Sequence, residues 1–378
     1  MAGSPVTRDW EEVAYLEREL HQLTTDWPGR PLAPADPQQV WRDLDRPTTL
    51  LLRIRELTAG EARVRRVWVT RGGVVGADNV AVPWPLADRT WDQFPAAALG
   101  AALLPLAVLA DLAAQGTRDD LLVVGDDRIR AIPLPMTAVQ HFDPGERLVA
   151  YAAVSVVPSL SWAHAAVQRR TAIAPEGPTL AFVHPGLPFA DIAAELDNRQ
   201  QPADGLVVRA TSLDDLYRRV KRPERRWAML VVATHARLTP DRSVELYDHE
   251  GHTLGASDLA TLNLPPVVVL AGCRVLTANT TSPLHLVEAS LAGGARHVIG
   301  PVTAADEPAV DEILGDTIAG IHRNPVASPA QELQRSTLRF LRAHPNESDE
   351  IARWSLMHVG LPGSAGTGVG EGWGVPGA

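Results

Sequence analysis

Two residues, His235 and Cys273, combine a type and a setting that could do chemistry. Cys273 is the single cysteine of the 378-residue chain and directly follows the apolar run VVVLAG at 267–272. His235 directly follows a second apolar run, AMLVVAT at 228–234, 38 residues earlier. A thiol with its ordinary pKa of about 8.5 is mostly protonated at neutral pH, and an imidazole within reach can take that proton and leave the nucleophilic thiolate. His235 is therefore the candidate base and Cys273 the candidate nucleophile. Backbone N–H groups of Ala236 and Cys273, where strands should break into loops, are candidate donors to a tetrahedral oxyanion. Each residue alone also has a structural explanation, since a cysteine after an apolar run is often a small buried hydrophobe and a histidine after a strand is often only hydrogen-bonded. The pairing rests on their shared position, each at the end of its own buried run.

A sheet whose strands end at one edge is what must bring them together. Apolar runs at 179–183, 228–234, 267–271 and 297–302 read as buried strands, separated by helical patterns at 191–199, 213–220, 284–291 and 310–322. Such alternation predicts an α/β fold with a parallel sheet, in which functional side chains gather at the carboxyl ends of strands. Ser328, Pro329 and Gln331 sign a helix with a capping box that runs to about residue 342, and a last strand is expected at 354–359. In the first half, Val13, Leu16, Leu20 and Leu23 mark an amphipathic helix over 10–25. Strands at 48–54 and 64–70 form an expected antiparallel pair, with Gly72-Gly73 as the turn after it. A helix over 95–115, a strand at 120–124, a turn at Gly125-Asp126-Asp127 and a strand-like run at 148–157 follow.

Composition narrows the function. A net charge of −10 and a pI near 5.6 oppose the dense positive surface that nucleic acid requires. The start, MAGSPVTRDW, has neither a basic nor an apolar signal region, so a cytoplasmic location is expected. The most apolar stretch, 94–112, is interrupted by Pro105 and closed by Asp111, and reads as a buried helix instead of a membrane span. One cysteine excludes an intramolecular disulfide and every zinc site that needs two thiolates. His249, His252, His285 and His297 show no metal-ligand spacing and read as surface or structural residues, and no cofactor is expected. Asp241, Glu245 and Asp248 fall in the segment after His235 and read as solvated.

The order of motifs resembles the CHAT domain, a caspase-like family related to separase within the clan CD cysteine peptidases, over residues 45–362. LLVVGDDRIRAIPLP (121–135) and VAYAAVSVVPSLSWA (149–163) are similar to its early elements. VVATHA (231–236), VVVLAGC (267–273), LAGGARHVIGPVTAADEPAV (291–310) and WSLMHVGLPG (354–363) are similar to its core. The His-to-Cys interval is comparable to the roughly 50 residues of caspases. Three positions depart from the family pattern: Ala236 stands where Gly usually follows the His, Ala271-Gly272-Cys273 replaces Ser-Ala-Cys, and Thr303 or a neighbour stands where a Trp is usual.

The resemblance implies a caspase-like α/β/α sandwich with a mostly parallel central sheet. A portion at about 45–170 would complete the sheet beside a catalytic portion at 171–362; the apolar spacing places a helical segment within 1–44 before them, and the glycine content of 363–378 predicts a disordered tail after them. It implies a cysteine endopeptidase that cleaves a protein substrate through a thioester acyl-enzyme on Cys273, with His235 as base and no metal. It also implies a separate activating or sensor protein and a bacterial stress or immune role. Asp306 and Glu307 fall where the family's acidic positions follow a strand and would select a basic side chain such as Arg; Asp306 as a helix N-cap is the alternative. An inactive CHAT module acting as a scaffold, and a small-molecule hydrolase or acyltransferase using the same dyad, remain as other readings.

Overall fold

The computed structural model describes residues 6–22, 33–58, 60–84, 96–115, 120–130, 132–139, 146–169, 177–198, 207–222, 226–240, 243–272, 275, 285–302, 307–324, 327–345 and 356–362. Two helices, α1 (Val6–Gln22) and α2 (Pro37–Asp43), precede an antiparallel meander of β1 (Thr48–Thr58), β2 (Glu61–Val69) and β3 (Val75–Pro83). The expected pair is thus a triplet. The turn at 71–72 leads into β3, whose half-exposed edge residues carry no strong apolar signal.

Pro105 divides the expected 95–115 helix into α3 (Ala96–Leu103) and α4 (Leu106–Gln115), as a ring without an N–H must. After β4 (Asp120–Gly125) comes α5 (Asp127–Arg130), where a turn was expected; Asp126 accepts the Ile129 N–H and starts that helical turn. The run 148–157 is a strand only at β5 (Ala153–Val157), because 148–150 tightens into a 3-10 turn. Next come α6 (Leu160–Arg169), β6 (Thr179–Val183), α7 (Ala190–Asn198), β7 (Val207–Arg209), α8 (Leu213–Val220) and β8 (Met229–Ala233). A small meander follows, made of β9 (His235–Leu238), β10 (Val244–Tyr247) and β11 (Thr253–Leu254). The chain continues with α9 (Ala256–Thr261), β12 (Val267–Ala271), α10 (Leu286–Ala292), β13 (His297–Pro301), α11 (Glu307–Arg323), α12 (Pro329–Ala343) and β14 (Leu356–Gly360).

Among the described residues, eleven strands form one sheet in the order β3-β2-β1-β4-β5-β14-β13-β12-β8-β6-β7. Seven of its ten neighbour pairs are parallel, so the mostly parallel α/β sheet is as expected. Beyond the antiparallel edge pair β3-β2, it consists of two parallel blocks, β1-β4-β5-β14 and β13-β12-β8-β6-β7, that meet antiparallel at β14 and β13. Their carboxyl ends therefore face opposite edges. Alternate residues feed two cores: Met229, Val231 and Ala233 pack with α7, α11 and α12, while Leu230 and Val232 pack on the other face with α8, α9 and α10. This is a three-layer α/β/α arrangement. The core on the second face also takes in Val13, Leu16 and Leu20 of α1.

Local chemistry explains the helices. In α8, Ser212 caps the Asp215 N–H, acidic Asp214 and Asp215 lie in the first turn and Arg218 and Arg219 in the last, which complements the helix dipole. α12 does begin at Pro329 after Ser328, but the Ser328 hydroxyl makes no capping bond, so the capping box does not form. Gly294, at φ +107°, closes α10 and turns the chain into β13, a conformation that favours glycine.

The seam between the two blocks holds a buried polar chain. His297 Nδ1 lies 3.0 Å from His358 Nε2, and His358 Nδ1 lies 3.2 Å from Ser155 Oγ. Burial pushes the His358 pKa from its usual 6.5 down to about 3. The folded state resists a proton that the unfolded state accepts, so this contribution is intact above pH 6.5 and is lost as pH falls toward 3. At about 1.4 kcal/mol per unit, His358→Gln should lose about 3 kcal/mol less stability than the wild type between pH 7 and pH 4, read from urea unfolding. Equal losses in the two proteins would show that the buried imidazole is not held neutral.

Candidate functional site

The carboxyl edge of the second block gathers the chemistry-bearing residues. β8 and β12 end in register, Ala233 opposite Ala271, and the Thr234 N–H extends the ladder to the Ala271 carbonyl at 3.2 Å. The chains leave the sheet in contact, because a Cβ on Gly272 would stand 3.0 Å from the Thr234 carbonyl oxygen and 3.1 Å from Leu246. His235 comes two residues after Ala233. Cys273, Thr303 and Asp306 lie outside the described residues; Glu307 opens α11, and of it only the backbone is described.

His235 is the first residue of β9 and pairs with Tyr247 of β10. Its ring stacks on the Tyr247 ring at a centroid distance of 5.3 Å and 17° between planes. Thr234 fixes the approach by donating its hydroxyl to the Tyr247 carbonyl at 2.6 Å. The Thr239 N–H donates to Ser243, so the alternation of an antiparallel ladder makes His235 and Arg237 hydrogen-bonded positions and Ala236 a non-hydrogen-bonded one. The Ala236 N–H consequently points away from β10, toward the outer side of β9.

Asp248 is buried, where a solvated residue was expected. Its carboxylate accepts the N–H groups of Glu250 and His252 at 2.9 Å each and that of Leu213 at 2.8 Å, which ties the β10–β11 turn to the start of α8. Burial alone would raise its pKa; the N–H donors of Leu213, His252 and Glu250 outweigh that and hold it below the usual carboxylate range. Asp248, Glu250 and His252 offer ligand atoms close enough to share an ion. The Asp248 oxygens are already engaged by three backbone donors, so the group reads as a closed turn. Glu245 sits on β10 beside Arg237 at 3.4 Å.

Sequence reasoning missed one member of this edge. His184 follows β6, donates its N–H to the Ala233 carbonyl at 2.8 Å, and sets its ring 5.2 Å from that of His235, edge to face. His249 approaches the same ring at 5.6 Å. The Gly186 N–H donates to His184 Nδ1 at 3.0 Å, so the neutral ring carries its proton on Nε2. Burial first, then the neighbouring His235 and His249, lowers the His184 pKa, while Asp248 works against them. The signal was available: His184 directly follows the buried run TLAFV, the position that singled out His235 and Cys273.

β6 and β8 also bracket the point where the strand order reverses, since β7 lies beyond β6 on one side and β12 and β13 lie beyond β8 on the other. In open α/β sheets that crevice is where ligands bind. His184 and His235 stand at its two lips. His297, in contrast, is buried at the β13–β14 seam and takes no part.

No protein-family model and no curated protein sequence matches the chain. Among solved structures, it is similar to Saccharomyces cerevisiae separase in two structures of the separase–securin complex. Identity is 12% and the TM-score 0.45, covering 64% of this chain and 15% and 16% of those chains. It is also similar to the Arg-specific cysteine proteinase gingipain R, at 11% identity and a TM-score of 0.43, covering 65% of this chain and 63% of that one. The chain thus spans about a sixth of separase and less than two thirds of gingipain R. Among the described residues, no helix is long and apolar enough to cross a membrane.

Proposed function

We propose that the chain is a cysteine endopeptidase of the CHAT type, with His235 as base and Cys273 as nucleophile. One observation carries the reading: Ala233 and Ala271 are opposite each other on adjacent parallel strands, and His235 and Cys273 each follow two residues later in sequence. In this mechanism His235 takes the thiol proton and the thiolate sulfur bonds to the peptide carbonyl carbon. The oxygen takes up negative charge facing the N–H of Ala236 and that of Cys273. Collapse breaks the C–N bond, and the amine leaves with the proton from His235. Water, deprotonated by His235, then hydrolyses the thioester and restores the thiol. The outward direction of the Ala236 N–H supports its role. Asp306 and Glu307 would recognise a basic side chain, and activation by a separate protein, in a bacterial defence setting, rests on the CHAT resemblance alone.

A peptide acyloxymethyl ketone tests this by intact mass. One adduct per chain is expected at Cys273 and none on Cys273→Ala. If no ketone labels the wild type, with or without added cell extract, the fold serves as a catalytically inactive binding module instead.

A further inference from the structure

Next to the candidate base lies a cleft that the proposed mechanism does not use. It occupies about 410 Å³ between the end of β6, the start of α7 and the end of β7. Pro185, Leu187, Pro188, Phe189, Ala193 and Ala210 give it an apolar lining. Two polar side chains also reach it, His184 and Arg209. The Arg209 guanidinium donates through Nη2 to Asp197 at 2.8 Å and to the Ala193 carbonyl at 3.0 Å. No carboxylate is among the described residues that line the cleft, and Asp197 is paired with Arg209.

The His184 ring joins the cleft to the chemistry. It forms part of the cleft wall and touches the His235 ring at 5.2 Å. An occupant of the cleft therefore sits one ring away from the candidate base, on the β7 side of the β6–β8 crevice. A pocket of this size with few polar groups selects by apolar burial.

We infer that this cleft is a substrate subsite that takes a large apolar side chain, such as Leu or Phe, of a residue flanking the scissile bond. The inference rests on the peptidase reading and adds a specificity to it. Apolar discrimination in such a pocket is about tenfold to a hundredfold.

The test is a panel of peptide acyloxymethyl ketones carrying Leu, Phe, Arg, Asp or Gly at each position in turn, with the Cys273 labelling rate read by intact mass. At one position Leu or Phe should react at least tenfold faster than Asp or Gly. Ala193→Phe, which fills the cleft from α7, should abolish that preference. Leu187→Ala, which enlarges the cleft, should move the preference toward bulkier side chains, and it serves if Ala193→Phe folds poorly. Labelling without any such preference, or a preference that both variants leave unchanged, overturns the subsite while the dyad stands. Binding of the matching non-reactive peptide amides to Cys273→Ala, followed by fluorescence anisotropy, separates the two claims. Selective apolar binding that Ala193→Phe removes supports the cleft even if no ketone labels the wild type, and its absence overturns it.

Discussion

Replacing His235 by alanine should slow alkylation of Cys273 by a peptide ketone about 10²- to 10⁴-fold, the range removed with a general base. The fold should survive the change. The His235 side chain is half-exposed and its contacts are ring contacts, to Tyr247 at 5.3 Å and His184 at 5.2 Å, while β9 is held by its backbone pairing with β10. His184 should not rescue the variant, although it is the adjacent imidazole. Its Nδ1 already accepts the Gly186 N–H, so the neutral ring carries its proton on Nε2 and has no free basic nitrogen, and burial lowers its pKa. The measurement is the second-order labelling rate across pH 5.5 to 9, beside a thermal melt. In the variant the remaining rate should climb with pH toward the ordinary thiol ionisation near about 8.5, and the wild type should reach its plateau earlier. A fall of less than about fivefold, with the same pH profile, would mean that the thiolate forms without His235.

The strands that carry this chemistry were legible because they are buried on both faces. MLVVA at 229–233 and VVVLA at 267–271 are continuous apolar runs, the pattern of strands covered on both faces in a parallel sheet. Their order in space was not legible. Insertion of β14 between β5 and β13, which reverses the direction of half the sheet, depends on pairings made across some 200 residues, such as His358 with Ser155. The small meander escaped notice for a different reason: HARL, VELY and TL are short and partly exposed, so no period shows. Asp248 misleads in the same stretch. An acidic residue in a polar segment normally meets water, and here three backbone donors replace that water. Ser328 and Pro329 place the start of α12 correctly although the hydroxyl bond is absent, because the fixed φ of a proline at the first helical position suffices to launch a helix.

A second large effect is expected where the two blocks of the fold are tied by a buried ion pair. Arg130 of α5, which follows β4 in the first block, bonds to Glu288 of α10, which precedes β13 in the second; their exposures are 5% and 3%. Arg130 also donates to the Gly125 carbonyl at 3.0 Å, whereas Glu288 Oε2 has no hydrogen-bond partner among the described residues. The pair is therefore incompletely compensated. Arg130→Met should cost about 3–5 kcal/mol in urea unfolding, because it leaves the Glu288 charge buried without its counter-ion. Arg130→Met combined with Glu288→Leu should recover most of that loss and could exceed the wild type, since two apolar groups of similar volume need no solvation. The double-mutant cycle separates this coupling from lost packing, and a single-variant cost below about 1 kcal/mol would show that water reaches the site. The double variant should also keep labelling Cys273 at the wild-type rate. α10 is the first described helix after Cys273, so if an apolar pair holds it as well as the ion pair does, the buried charges contribute to orientation and not to the reaction. A double variant that is stable but no longer labels would instead tie the charge pair to the thiol's surroundings.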